Sequence, residues 1–220
     1  MAITRVSVDS AGNPGNNYSL FPSISADGRF VAFGSISTNL VPGDTNNSED
    51  IFLRDLLTNT TTRLSVDSAG NQGNGYSFLP SISADGRFVA FSSDASNIVP
   101  GDTNNQTDIF VRDLLTNTTT RVSVDSAGNP GNNKSGSPSI SADGRFVAFL
   151  SNSTNLVPGD TNNNYDIFVR DLLTNTTTRV SVDSAGNYGN RDSYNPSISA
   201  DGRFVAFLSN STNLVPGDTN

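Results

Sequence analysis

A twelve-residue stretch, PSISADGRFVAF, occurs four times in this chain, and each copy begins 58 residues after the one before it. The copies start at Pro22, Pro80, Pro138 and Pro196 and are identical letter for letter. A fixed period of several tens of residues is the signature of solenoids, propellers and other arrays, in which each unit is one supersecondary structure. The period divides the 220 residues into units of roughly 4–61, 62–119, 120–177 and 178–220, which we assign to a single repeat domain.

Each repeated stretch has the pattern of a β-hairpin. Asp27-Gly28 stands between two apolar runs, and a tight primed turn needs residues that tolerate positive φ at both central positions. The sequence therefore predicts two antiparallel strands, Ser23–Ser25 and Phe30–Phe33, joined at this dipeptide.

Two further strands complete each unit. Asp50–Leu56 is predicted as a strand, followed by a turn at Thr58–Thr60 in which Asn59 suits the left-handed position. The alternating run TRVSVD, Thr4–Asp9 in the first unit, returns at Thr120 and Thr178, and as TRLSVD at Thr62. Four strands is the count of one propeller blade.

Successive apolar residues in FVAF and IFV indicate strands covered on both faces. Blades packed face to face around an axis provide that cover, and a linear solenoid is the alternative. We therefore predict an all-β fold, a β-propeller built of near-identical 58-residue four-stranded blades. About four blades are expected in the chain, with the last blade lacking one strand.

These residues resemble the WD40-like (PD40) repeat of the TolB type. Members carry S-x-DG-(K/R)-x-(I/V)-A-F-x-S, then D-I-(Y/F)-V-x-D-L, then a short R-(L/V)-(T/S) strand, and all four units here follow that order as far as the chain extends. The resemblance implies a propeller that serves as a binding, scaffolding or accessory domain. The long PGDTNN and SAGN-x-GN loops depart from the family pattern, so no functional residue is transferred from TolB.

Composition excludes several kinds of chemistry. The chain has no cysteine and no histidine, which removes thiolate and imidazole metal sites and Ser-His-Asp catalysis. A net charge of −8 with a single lysine, Lys134, argues against binding to nucleic acid. No apolar run approaches the roughly 18–20 residues of a membrane span, so no membrane partner is expected. The opening residues show no basic-then-apolar leader pattern.

The predicted strand order places the charges on two edges of each blade. The Asp27-Gly28 turn and the Thr58–Thr60 turn define the bottom edge, and both long loops leave from the top edge. With Arg5 and its repeats at the bottom and Asp9 and its repeats at the top, the top edge is predicted to be an acidic face. Such a face concentrates cations and repels polyanions.

The PGDTNN loop is the candidate metal site. Oxygen ligands at alternate positions, followed by another carboxylate, suit Ca²⁺. The candidate ligands are Asp44, Asn46, Asp50, Asp102, Asn104, Asp108, Asp160, Asn162 and Asp166, with Asp218 and Asn220 beginning a fourth copy. The alternative is a turn in which Asp and Asn side chains accept backbone N–H bonds.

Variable residues on the top edge are the candidate ligand contacts. The units differ after the SAGN loop, where they read NNYSLF, NGYSFL, NNKSGS and NRDSYN, and just before the DIFV strand. Aromatic residues there could stack on sugars or hold a peptide. The candidates are Tyr18, Tyr76, Lys134, Tyr165, Tyr188, Arg191 and Tyr194. Drift of unconstrained loops is the alternative.

The leading hypothesis is a non-enzymatic ligand-binding or scaffold propeller that binds a protein or glycan on its acidic loop face, with Ca²⁺ as a possible cofactor. The alternatives are a self-assembling half-ring, hence a homo-oligomer, or a fragment of a longer propeller. A carboxylate-based hydrolase is the remote alternative, because paired acids can perform glycosidase chemistry. The acidic, cysteine-free surface favours a secreted or bacterial envelope location.

Overall fold

The computed structural model describes residues 3–218, all of them in strands, turns or irregular structure. Within that range no helix is long and apolar enough to cross a membrane. The strands are β1 Ser19–Ile24, β2 Phe30–Ser35, β3 Asp50–Asp55, β4 Thr60–Arg63, β5 Ser77–Ile82, β6 Phe88–Ser93, β7 Asp108–Asp113, β8 Thr118–Arg121, β9 Ser135–Ile140, β10 Phe146–Ser151, β11 Asp166–Asp171, β12 Thr176–Arg179, β13 Ser193–Ile198 and β14 Val205–Ser209.

The strands form three four-stranded antiparallel sheets and one two-stranded sheet, each in sequence order. The first strands of successive sheets, β1, β5, β9 and β13, contact one another and lie nearest the axis. This is a β-propeller, as predicted. The fourth blade, however, has two strands within residues 3–218, where one missing strand was predicted. The opening residues cannot complete it, because Val8 lies beside β4 of the first blade, where Thr61 Oγ1 donates to its carbonyl at 2.6 Å.

The repeated hairpin is confirmed, but its turn is not a two-residue primed turn. Gly28 has φ 74°, while Asp27 is not among the residues with positive φ. The Gly28 N–H donates to the Ser25 carbonyl at 2.9 Å. Asp27 Oδ1 accepts from Ser25 Oγ at 2.6 Å and from the Arg29 N–H at 3.0 Å. Because the carboxylate closes the loop, only the glycine needs the left-handed conformation.

The fourth strand lies two residues earlier than predicted. The predicted strand begins at Thr62, and the observed strand is Thr60–Arg63. In the first copy of the run, Thr4–Asp9, the structure shows only an isolated bridge between Val8 and Pro14. Asp9 stops the alternating run, because its Oδ1 accepts from two N–H groups of the following loop, at 2.9 and 2.8 Å. The left-handed position of Asn59 is confirmed, with φ 58°.

Adjacent blades are joined by repeated contacts. Ile82 of the second blade is 8% exposed and packs with Ala32, Ile51 and Leu53 of the first. The N–H groups of Ala26, Ala84 and Ala142 each donate to the equivalent carbonyl of the next blade at 3.0 Å. These contacts make the array one continuous core and hold the inner strands in a fixed relation.

Candidate functional site

The predicted metal ligands Asp44 and Asp50 come together at the top edge, around an arginine. Asp50 begins β3 and is fully buried. Arg63, the last residue of β4, places NH1 3.4 Å from Asp44 Oδ1 and 3.6 Å from Asp50 Oδ2. Gln72 Nε2 donates to both carboxylates at 2.9 Å, and Ser65 Oγ donates to Asp50 Oδ1 at 2.5 Å. We call this arrangement a carboxylate–arginine cluster.

The cluster recurs in the next two blades. Arg121 lies 3.1 Å from Asp102 and 3.4 Å from Asp108, and Arg179 makes the matching pairs with Asp160 at 3.1 Å and Asp166 at 2.6 Å. Burial raises the pKa of Asp108, and it raises the pKa of Asp166 to about 6. Burial disfavours a charged carboxylate, and the hydrogen bonds from Ser123 and Ser181, together with the positive charge of the arginines, oppose that effect on the pKa.

The asparagines of the loops act as turn caps. The side-chain oxygens of Asn46, Asn104 and Asn162 each accept the N–H two residues later, at 2.9–3.0 Å. Across residues 3–218 no group of three or more acidic, histidine or cysteine side chains could hold a metal ion. Asn220 of the fourth copy lies outside the described residues. Calcium binding stays a prediction, and a guanidinium already supplies positive charge between each pair of carboxylates.

The predicted separation of charge between the two edges is wrong, because two sets of charges lie at the opposite edge from the one expected. Arg63 and its repeats are at the top, beside Asp44 and Asp50. Asp9 lies low on the blade, since Arg54 NH1 donates both to its carbonyl at 3.0 Å and to that of Asn59 in the bottom turn at 2.7 Å. Both edges therefore carry a mixture of the two signs.

The structure separates the predicted ligand contacts. Tyr18 and Tyr76 are 52% and 53% exposed. Tyr188 packs away from the axis, with Arg179 4.0 Å from its ring centroid and its hydroxyl donating to the Pro158 carbonyl at 2.9 Å. Arg191 lines a separate cavity with Asn164 and Asp192. The remaining three predicted contacts, Lys134, Tyr165 and Tyr194, line one cavity together.

This cavity, which we call the rim cavity, lies where three inner strands converge at the top edge. Its volume is about 250 Å³, and it is lined by Phe78, Thr107, Lys134, Ser135, Gly136, Leu150, Tyr165 and Tyr194. Phe78, Gly136 and Tyr194 occupy the same register position in β5, β9 and β13. The space therefore exists because a glycine stands where the neighbouring blades have aromatic side chains.

Asp192 accepts a hydrogen bond from the backbone of one tyrosine of the rim cavity and from the side chain of the other. Its Oδ1 accepts from the Tyr165 N–H and its Oδ2 from the Tyr194 hydroxyl, both at 2.8 Å. This hydrogen bond to a carboxylate raises the pKa of Tyr194. The two rings lie 6.1 Å apart at 40°, so the aromatic wall is held in place by groups outside the cavity.

A bulge in every inner strand was missed by sequence reasoning. The residue before each repeated proline has positive φ, between 50° and 55°, at Phe21, Leu79, Ser137 and Asn195. Phenylalanine and leucine seldom adopt this conformation, and such strain gathers at functional sites. The pairing register shifts at the same place in each blade. The only sign of the bulge in the sequence was that the residue before the invariant PSIS run differs in every unit.

The fold is that of known β-propellers. TolB from Acinetobacter baumannii superposes with a TM-score of 0.53 at 22% identity, covering 90% of this chain and 39% of that chain. The putative TolB from Agrobacterium tumefaciens gives 0.52 at 17% identity, with 87% and 59% covered, and a prolyl endopeptidase gives 0.52 at 14%, with 87% and 26% covered. The chain thus spans less than two thirds of either TolB structure. No family model and no curated protein matches. The TolB-like propeller resemblance is confirmed for the fold.

Proposed function

We propose that this chain is a non-enzymatic binding propeller whose ligand, a protein or a glycan, contacts the variable residues at the top of the inner strands. The supporting observation is that the repeat frame is constant while the side chains nearest the axis differ from blade to blade. Aromatic faces there suit sugars and apolar side chains. We call these residues the variable rim: Tyr18, Leu20, Phe21, Tyr76, Phe78, Leu79, Lys134, Gly136, Ser137, Asp192, Tyr194 and Asn195.

The repeated carboxylates favour a structural role over a catalytic one. Asp50 is buried and bonded to Ser65 and Gln72, and the equivalent serines Ser123 and Ser181 donate to the buried Asp108 and Asp166. A hydrolase needs carboxyl groups that can reach substrate. We therefore keep the hydrolase as the remote alternative. A hydrolytic activity that Asp44→Ala abolishes would favour it over the binding module.

The binding proposal is tested with a variant that makes two blades alike. Lys134→Tyr, Gly136→Leu and Ser137→Phe together give the third blade the residues that the first blade carries at Tyr18, Leu20 and Phe21. In the fourth blade Tyr194 lies opposite Leu208, at the register position where Gly136 lies opposite Leu150, so a large side chain fits there and we expect little change in thermal midpoint. Ligands that the wild-type chain captures on a glycan and peptide panel should be lost. Retained binding by the triple variant would contradict the proposal, and Thr116→Ser, in an exposed bottom turn away from the rim, is the matched control.

Calcium enters the same experiment as a separate arm. A cation at the carboxylate–arginine clusters has to displace a guanidinium that lies 3.1–3.6 Å from the carboxylates of the first two blades. A ligand that binds only the folded state raises the thermal midpoint. A rise at millimolar calcium, or calcium-dependent capture, supports the cofactor. Neither effect at that concentration would remove it.

Self-association is the second candidate, and the two end faces of the array favour it. Ile24 is 60% exposed, while Ile82 and Ile140 at the same position are 8% exposed against a preceding blade. Phe204 at the other end is 65% exposed. A head-to-tail pair would cover both surfaces by the contacts that join blades within the chain. Sedimentation between about 1 and 100 µM should show a dimer or larger species that Phe204→Ser weakens, whereas a monomer throughout would contradict it.

We place the protein outside the cell or in a bacterial envelope. The acidic composition without cysteine supports this location, and so does the bacterial source of the two TolB structures that it resembles. Fractionation of a bacterial host that carries the native gene would test it.

A further inference from the structure

We propose that the rim cavity binds an aromatic ring joined by a short chain to a carboxylate. This inference rests on the proposed binding function and names the ligand chemistry of one part of the variable rim. It is carried by the space that Gly136 leaves, by the aromatic walls, and by the single charged residue at the opening.

The cavity has the size of one ring with a short chain. An added Cβ at Gly136 would meet only Leu150, at 3.8 Å from Cδ1 and 4.0 Å from Cγ. The backbone of Gly136 does not have the positive φ that would require glycine. Glycine is therefore not imposed by the fold here, and its effect is to leave space. About 250 Å³ is below the roughly 300–1,000 Å³ of pockets for drug-sized ligands.

The walls present ring faces and an aliphatic side chain. Phe78, Leu150, Tyr165 and Tyr194 are all half-buried and line the space from three blades. Aromatic pairs gain most in offset or tilted arrangements with centroids about 4.5–7 Å apart, and the two tyrosines already adopt such a geometry. Because Asp192 holds the Tyr194 hydroxyl and the Tyr165 backbone, the Tyr194 ring is already oriented before a ligand ring enters.

The charge at the opening favours an anion. Lys134 is the only charged residue among the lining residues, and it is exposed. No salt bridge to Lys134 is present within residues 3–218. Three aromatic rings could also surround a cation, but the ammonium of Lys134 would repel it. Asp192 carries an opposing charge, but it lies outside the lining and bonds the Tyr165 N–H and the Tyr194 hydroxyl, whereas Lys134 lines the opening itself.

Three probes that share one ring and differ in charge test the proposal: 3-phenylpropionate, its primary amide, and 3-phenylpropylamine. Binding is followed by chemical-shift titration of the wild-type chain. We expect the acid to bind with a Kd of about 1 mM, the order expected for a ligand of this size. The amide should bind about 3- to 10-fold more weakly and the amine more weakly still. An amine that binds best, or no binding by any probe, would overturn the proposal.

Two variants locate the probe. Gly136→Leu places in the third blade the side chain that Leu20 provides in the first, and it should weaken the acid at least 10-fold. Lys134→Gln should bring the acid to the level of the amide while leaving the amide unchanged. Leu115→Asn, in an exposed bottom turn away from the variable rim, is the control. Equal affinity of the acid for wild type and Gly136→Leu would show that it binds elsewhere and would also overturn the proposal.

A second set of measurements distinguishes a peptide C-terminus from a free aromatic acid as the ligand. It also distinguishes failure of the proposed ligand from failure of the proposed binding function. A peptide ending in phenylalanine with a free carboxylate, compared with its amidated form, distinguishes a chain terminus from a free aromatic acid; either result is compatible with the proposal. If no aromatic acid binds while panel ligands are still lost in the triple variant, the ligand chemistry is wrong and the binding function stands. If the triple variant keeps its panel ligands, the binding function itself fails.

Discussion

Gly144→Ala is expected to destabilise the protein by about 2–4 kcal/mol, and Gly28→Ala, in the identical turn of the first blade, by only about 1–2 kcal/mol. The two glycines have nearly equal φ, 73° and 74°, so both substitutions carry the same penalty for a left-handed alanine. They differ in their neighbours. An added Cβ at Gly144 would overlap the ring of Phe88 from the preceding blade, whereas nothing lies within 4 Å of the same atom at Gly28.

The Phe88 ring has little freedom to yield, because the Arg87 guanidinium lies 4.5 Å from its centroid on the blade to which both belong. The difference between the two variants therefore measures contact between blades. Urea unfolding gives both free energies, and Gly144→Ala combined with Phe88→Ala should show a favourable coupling of at least about 1 kcal/mol. Equal losses at Gly28 and Gly144 would mean that the ring moves aside and that this contact does not join the blades.

The positions of the second and third strands could be predicted from the sequence with little error. Phe30–Phe33 falls inside β2, and Asp50–Leu56 exceeds β3 by one residue. A short continuous apolar run predicts a buried strand, and the repeat shows the same run several times. The propeller follows from these strands and the period.

The predicted distribution of charge between the two edges was wrong because one strand boundary was misplaced. Alternation in TRVSVD continues past the end of the true strand, so Arg63 was placed near the start of a strand at the bottom edge. It is the last residue of β4, at the top. An Asp side chain that bonds its own loop competes with strand pairing, and periodicity does not register that competition. The pairing of Arg63 with Asp44 and Asp50 could not be predicted without the correct boundaries of this strand.

The residues of the rim cavity could be predicted in part from the sequence. Lys134, Tyr165 and Tyr194 were among the predicted contacts because the units differ there, and the structure brings them together. Gly136 and Phe78 fall in the variable segments NNKSGS and NGYSFL, but they were not among the predicted contacts. Both belong to inner strands, and only the strand order shows that one register position from three blades meets at the axis. Variation between repeats located the site, and the geometry supplied its shape.

Arg121→Met is expected to destabilise the protein by about 3–5 kcal/mol at pH 8, because it removes the positive partner of two buried carboxylates. The side chains of Asp102 and Asp108 are 4% and 0% exposed. Asp108 would keep its bonds from Ser123 Oγ at 2.5 Å and Asn104 Nδ2 at 2.9 Å. Those neutral donors cannot balance a second buried negative charge, so urea unfolding should register a loss well beyond that of Arg87→Met, whose wild-type side chain is 38% exposed beside Asp113.

The loss should also depend on pH in a definite direction. Burial already raises the pKa of Asp108 in the folded protein, and removal of the guanidinium raises it further. A carboxyl group with a raised folded pKa takes up a proton on folding, so its destabilising effect appears as pH rises above the unfolded value near 4. The gap between wild type and Arg121→Met should therefore narrow from pH 8 to pH 5. A gap that is constant with pH would show that Arg121 acts through packing of its side chain. In that case the three carboxylate–arginine clusters would be steric supports of the loops, and a cation could replace the guanidinium only at the expense of that packing.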